Sequence, residues 1–212
     1  MIKGVVFDFD GTIVDSMAII FEALNKALGN RNLPTIGLDL LGRMAGRPLS
    51  EIIKAKMYVP ESTIKAIEKD VFKAYVGFCR KSCQLLPNVE ETLKVLKSKQ
   101  VKLGLFTTTP REPLRVAVRR LAIGNYFDVM LAKDDAKSKP DPDGLEKIVT
   151  EFGIRKNECL YVGDSPIDVL TGKAAGIRTI AVATGVATMG QLKENAPDCI
   201  ITNLEQLLTL IN

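Results

Sequence analysis

Two acidic pairs stand out by their position in the chain. Asp8 and Asp10 lie two residues apart in DFDGT, directly after the apolar run IKGVVF, and Asp164 and Asp168 lie in GDSPID, directly after ECLYVG. Between the pairs come adjacent hydroxyls, Thr107 and Thr108, after VKLGLF, and a lysine, Lys139, within KSKPDPDG. Carboxylates can act as nucleophiles, as general acids and bases, or as ligands of hard cations. An ammonium group and hydroxyl donors can stabilise an anion as it forms. The chain contains no histidine, which excludes Ser–His and Cys–His catalysis. Proton transfer near neutral pH therefore falls to carboxylates, Lys, Tyr, Cys or a metal-bound water. Singly, each residue has an ordinary explanation. Asp164 or Ser165 before Pro166 fits a helix N-cap, Thr107 fits a strand, and Lys139 fits a solvated loop. Only their recurrence at corresponding points of the fold argues for chemistry.

Those points are strand ends. Residues 2–8 form a short, β-branched, apolar run of the kind that is buried in a parallel sheet, and residues 101–107, 127–132, 158–163, 177–183 and 198–202 repeat it. Segments with helical periodicity lie between them, at 90–100, 113–123 and 144–152. Alternation from about residue 87 onward predicts an α/β protein with a doubly wound, Rossmann-like parallel sheet. Residues 16–83 break the rhythm, with helical patterns at 16–28, 48–56 and 62–83 and no convincing strand. The expected organisation is a core of residues 1–15 and 84–212 with a helical cap of 16–83, hinged near Asp15–Ser16 and Leu85–Pro87. An open parallel sheet binds ligands at the carboxyl ends of its strands. The acids, the lysine and the hydroxyls would meet there. That much negative charge needs a cation, and oxygen-only ligands suit Mg²⁺.

The segments DFDGTIVDS (8–16), LFTT (105–108), KSKPDPDG (137–144) and GDSPIDV (163–169) occur in this order, each at an expected strand end. Together they resemble the four motifs of the haloacid dehalogenase-like superfamily, in its phosphatase branch with a helical cap between the first and second motifs. The resemblance spans essentially the whole chain and implies a Mg²⁺-dependent phosphoric monoester hydrolase. By this resemblance Asp8 is the nucleophile and Asp10 the general acid and base. Asp8, Asp10 (through its backbone carbonyl), Asp164 and Asp168 (behind the metal or through water) form the metal site. Thr107, Thr108, Lys139 and Gly11 bind the phosphoryl group. Thr108 stands where the family often has Asn, a change that keeps the backbone amide contact and puts a hydroxyl in place of the side-chain amide.

Competing readings differ at named residues. A dehalogenase lacks an acid two positions after its nucleophile, and a phosphonatase has a small residue there, so Asp10 argues against both. A phospho-accepting receiver domain carries its acceptor on the third strand and has no helical insertion. A phosphosugar mutase of the β-phosphoglucomutase type shares every core residue and remains the alternative. Arg43 and Arg47, which flank MAG in the helical segment, are candidates for meeting a second anionic group of the substrate. A small closed cap favours a small phosphorylated metabolite, of the phosphoglycolate or sugar-phosphate type.

Lys plus Arg number 29 and Asp plus Glu 25, a balance of +4 without basic runs, so nucleic acid is not an expected partner. No apolar run approaches a membrane span and no signal peptide is recognisable at Met1. Four cysteines in 212 residues give no disulfide framework, and Cys79 and Cys83, one helical turn apart, read as packing. A cytoplasmic location is expected. Monomer and dimer are not distinguished by sequence.

Overall fold

A computed structural model describes residues 1–211 of the chain; Asn212, the last residue of the expected core unit, lies outside the described residues. The strands are β1 (Gly4–Phe7), β2 (Lys102–Phe106), β3 (Val129–Leu131), β4 (Cys159–Gly163), β5 (Arg178–Val182) and β6 (Cys199–Ile201). They form one parallel sheet in the order β3-β2-β1-β4-β5-β6. The chain winds outward from β1 to β3, then returns to β4 beside β1 and winds outward the other way. Strand order thus reverses between β1 and β4, and a crevice opens at the carboxyl ends of a sheet at such a point. Phe7 pairs with Leu105 on one side and with Val162 on the other. Asp8 and Asp164 therefore emerge as neighbours from the central strands.

The helices are α1 (Met17–Gly29), α2 (Leu38–Arg43), α3 (Leu49–Lys56), α4 (Glu61–Lys81), α5 (Val89–Ser98), α6 (Arg111–Leu121), α7 (Asp143–Phe152), α8 (Pro166–Ala175) and α9 (Met189–Glu194). Successive strand side chains point to opposite faces, and both faces are apolar. Val5, Phe7, Leu103, Leu105, Leu160 and Val162 pack on one face with Leu93 and Leu96 of α5 and Leu114 and Val118 of α6. Val6, Phe106, Cys159 and Tyr161 pack on the other with Leu145, Ile148 and Phe152 of α7. The expected strands all form, although each is shorter than its apolar run. The short helices α2 and α9 lack the length to carry a recognisable period.

Residues 17–81 hold helices and no strand. Leu24 and Leu28 of α1, Leu41 of α2, Ile52 and Ile53 of α3, and Ile64, Ile67 and Val71 of α4 form a separate apolar cluster. Farther along α4, Tyr75 and Cys79 join the cluster on the sheet, as does Cys83 just beyond it. One helix therefore spans both clusters, and both of those thiols are buried and free. The connections to residues 17–81 run side by side: Val14 bridges Leu85, Asp15 N donates to Gln84 O at 3.1 Å, and Leu86 N donates to Ile13 O at 3.0 Å. No helix among the described residues is long and apolar enough to cross a membrane.

The helical segment touches the sheet's loops at Gly46. This glycine has φ +77°, and a Cβ there would lie 2.3 Å from Ile167 Cγ2 and 2.7 Å from Ser165 Oγ. Gly46→Ala is expected to lower stability by about 1–3 kcal/mol in equilibrium urea unfolding, because the side chain adds both backbone strain and a clash. Gly77→Ala, inside α4 with open space around it, should instead stabilise by roughly 0.5–1 kcal/mol. Equal effects at the two positions would refute this account of the contact.

Candidate functional site

The centre of the site is a buried ion cluster. Asp8 follows β1, Asp164 follows β4, and Asp168 lies in the first turn of α8. One ligand oxygen from each of the three lies within 4.8 Å of the others. Exposure is 5% for Asp8, 2% for Asp164, 0% for Asp168 and 1% for Lys139. Lys139 Nζ donates to Asp8 Oδ1 at 2.6 Å and to Asp168 Oδ1 at 2.7 Å. The ammonium also lies 5.2 Å from the Phe106 ring centroid and 5.5 Å from that of Tyr161.

Local sequence explains how Asp168 is held. Ser165 caps α8, Pro166 occupies its first position, and Ser165 and Asp168 form a reciprocal capping box. Asp168 Oδ2 accepts from Ser165 N at 3.2 Å and from Ser165 Oγ, while Oδ1 accepts from Tyr161 OH at 2.6 Å as well as from Lys139. Both oxygens are engaged. Asp168 thus braces Lys139 from behind. Asp164 Oδ1 accepts from Thr12 Oγ1 at 2.9 Å. Among the described residues no hydrogen bond falls on Asp164 Oδ2 or Asp8 Oδ2. Glycines leave room around the former: a Cβ at Gly11 (φ +80°) would lie 2.5 Å from Asp164 Oδ2, and one at Gly185 would lie 1.8 Å from it.

Electrostatics explain what this arrangement lacks. Burial pushes the Asp8 carboxyl up to about 7 despite the opposing pull of Lys139. Burial, and then the proximity of Asp8 and Asp168, raises Asp164 well above the carboxylate range. Burial alone would discharge Lys139, but Asp168 and Asp8 outweigh it and hold the ammonium at about 12. One ammonium does not balance three buried carboxylates. The donor set is all oxygen, closely grouped, with an uncommitted oxygen on both Asp8 and Asp164. It fits a hard divalent cation, which would restore both acids to their charged form.

A cavity of about 90 Å³ opens over the cluster, and Asp8, Asp10, Thr107, Thr108, Thr109 and Asp164 help to line it. Thr107 is buried and its Oγ1 accepts from Thr109 N at 3.0 Å, which leaves its proton available to an anion. Lys139, Asp168 and Gly11 are not part of this lining: Lys139 bridges Asp8 to Asp168, and Gly11 lies against Asp164. Of the two candidate arginines, Arg47 lines the cavity and pairs with Glu51 at 3.0 Å. Arg43 is not part of the lining; it pairs with Asp39 at 3.2 Å and with Glu194 at 3.6 Å.

Several functional contacts were not anticipated from the sequence. Asp10 Oδ1 accepts from Ser16 Oγ at 2.6 Å and from Tyr75 OH at 2.5 Å, while Oδ2 accepts from Thr109 Oγ1. Ser16 closes the first motif and Thr109 directly follows the second, so both could have been suspected. Tyr75, in the middle of a long amphipathic helix, carries no such signal. Thr12 and Tyr161 are likewise recognisable only from their contacts.

A model of haloacid dehalogenase-like hydrolases matches residues 5–182. The phosphoglycolate phosphatase of Photorhabdus laumondii is 31% identical over 99% of this chain and 92% of its own length. That of Haemophilus influenzae is 30% identical over 99% of this chain and 98% of its own. The fold superposes on a haloacid dehalogenase-like family hydrolase from Streptococcus pneumoniae with a TM-score of 0.83 at 21% identity, covering 100% of this chain and 99% of that one. With a family model that matches most of the sequence, relatives aligned end to end and a shared architecture, the chain belongs to the haloacid dehalogenase-like hydrolases, in their phosphatase group.

Proposed function

We propose that the protein is a Mg²⁺-dependent phosphatase that hydrolyses a small phosphorylated metabolite through an aspartyl-phosphate on Asp8. The observation that carries this reading is the placement of Asp8 at the cavity floor. One of its oxygens is held by Lys139 and the other is free, with Asp164 and Asp168 alongside.

Asp8 attacks phosphorus through its free oxygen, and the ester P–O bond breaks as the P–O bond to Asp8 forms. Asp10 gives its proton to the departing oxygen. A water then attacks phosphorus, Asp10 takes its proton, and the bond to Asp8 breaks to release inorganic phosphate and the original carboxylate. Thr107 and Thr108 hold phosphoryl oxygens, and Lys139 favours the charged form of Asp8 and orients it. Asp8, the backbone carbonyl of Asp10 and Asp164 would hold Mg²⁺, with Asp168 behind. The ion's contribution when bound is to screen phosphate charge, so that one anion can approach another. Residues 16–83 act as a cap that closes over this centre and excludes water. The cavity volume favours a substrate of few atoms, being far below the roughly 300–1,000 Å³ of pockets for drug-sized ligands. Free cysteines are compatible with a cytoplasmic enzyme.

p-Nitrophenyl phosphate should be hydrolysed with Mg²⁺ and not with EDTA. Asp8→Asn should lower kcat by about 10³-fold or more and remove the acid-stable, hydroxylamine-labile label that a ³²P-substrate leaves on the wild-type protein. Retained labelling in Asp8→Asn would sink the reading.

The hydroxyls on Asp10 generate a second expectation. Tyr75→Phe should lower kcat/KM for an alkyl phosphate about tenfold more than for p-nitrophenyl phosphate, because only the poor leaving group depends on a well-aimed acid. An equal loss for both substrates would mean that Tyr75 serves packing alone.

A further inference from the structure

Beyond its acids, the cavity holds a cation that the phosphatase chemistry above does not use. Lys133 follows β3 in the loop that faces the second motif, and its backbone N donates to Thr109 O at 3.0 Å, which ties it to the catalytic loop. Its side chain lines the same cavity as Asp8, Asp10 and Asp164, with Nζ 5.8 Å from the ring centroid of Phe72 on α4.

The acids that neighbour Lys133 in sequence are committed elsewhere. Asp134 Oδ2 accepts from Arg111 N at 2.9 Å. Asp135 pairs with the Arg111 guanidinium through Oδ1 and accepts from Ala132 N at 2.9 Å through Oδ2. Among the described residues Lys133 forms no ion pair, and its side chain meets the Phe72 ring, which offers far less than a carboxylate. Lys133 and Arg47 are the two cations in a lining that is otherwise built largely from apolar side chains such as Met17, Ile20, Ile52 and Val71. Arg47 has one carboxylate contact, through a single terminal nitrogen, and so keeps other donors in reserve. The charges are segregated: acids belong to the strand ends at the floor, and the two cations stand on the wall, one from the sheet side and one from the helical segment. Lys133 is half-buried, and an anion that enters with the substrate would give its ammonium the charged partner that the surrounding side chains do not supply.

We infer that Lys133, assisted by Arg47, forms a subsite for a second anionic group of the substrate. The preferred substrates are then short phosphomonoesters whose far end carries a carboxylate or a phosphate. This assignment rests on the phosphatase reading and deepens it. Because Lys133 comes from the sheet and Arg47 from the helical segment, such a substrate would also hold the two parts together during turnover.

The test compares three Mg²⁺-dependent substrates with one two-carbon skeleton: 2-phosphoglycolate, ethane-1,2-diyl bisphosphate and ethyl phosphate. The wild-type enzyme should favour at least one of the doubly anionic compounds over ethyl phosphate in kcat/KM by roughly ten- to hundredfold, as expected of a charged hydrogen bond. The favoured arm identifies the anion as carboxylate or phosphate. Lys133→Met should collapse that ratio to near one, through KM more than kcat, and Lys133→Arg should retain most of it. A ratio unchanged in Lys133→Met, or a wild-type enzyme without preference, overturns the subsite while leaving the phosphatase reading intact. Absence of metal-dependent turnover of all three, and of p-nitrophenyl phosphate, overturns both.

Discussion

An ammonium group that is 1% exposed survives in a protein interior only if anions surround it, and Lys139 has Asp8 on one side and Asp168 on the other. Much of the site follows from this requirement. Asp168 must lie where the first turn of α8 meets the end of β4, and the capping box with Ser165 fixes it there. Asp8 must lie one residue beyond β1, turned toward Lys139, so its second oxygen is left free. Removing the lysine would strand two buried carboxylates, a change worth about 3–5 kcal/mol in comparable buried pairs. The same contact therefore serves folding and the proposed chemistry. It offsets part of the burial that raises the Asp8 carboxyl and holds the proposed nucleophile in one orientation.

The acids still outnumber the lysine. Asp164 is pressed between Thr12 and the glycines at 11 and 185, close to Asp8, and burial and like charge both act against its ionised form. A sheet with strand order 3-2-1-4-5-6 makes this crowding unavoidable, because the two central strands deliver their terminal acids to adjacent positions. The fold thus creates a deficit of positive charge at its switch point, and a divalent cation is the natural complement. The helical residues 17–81 add apolar walls and, through Tyr75 on α4, a hydroxyl on Asp10. Tyr75 belongs to the stretch of α4 that packs on the sheet cluster, while Val71, one turn earlier, belongs to the separate helical cluster.

Much of this was legible in the sequence because strand ends announce themselves. An apolar β-branched run that stops at an acid marks both an element and a site, and IKGVVF-Asp8 and ECLYVG-Asp164 carry both signals at once. Lys139 and Thr107 could be placed in the same way, from the segments that flank them. Residues contributed by helices could not. Tyr75 lies on an amphipathic helix whose pattern predicts burial and not the identity of its partner, and the rotation of α4 against the sheet is a tertiary property. Lys133 reads as one more surface lysine until the commitments of Asp134 and Asp135 are known. Arg43 and Arg47 looked equivalent beside MAG, yet they lie one turn and a glycine apart, and only Arg47 reaches the cavity. The short helices α2 and α9 escaped notice because six residues are too few for a period to emerge.

The most direct test of the central claim is a crystal structure of the protein with Mg²⁺ and beryllium fluoride. The account predicts a fluoroberyllate bonded to the free oxygen of Asp8, the ion between Asp8 and Asp164, and Lys139 still bridging Asp8 and Asp168. A phosphate mimic bound away from Asp8, or a Lys139 released from both carboxylates, would contradict it.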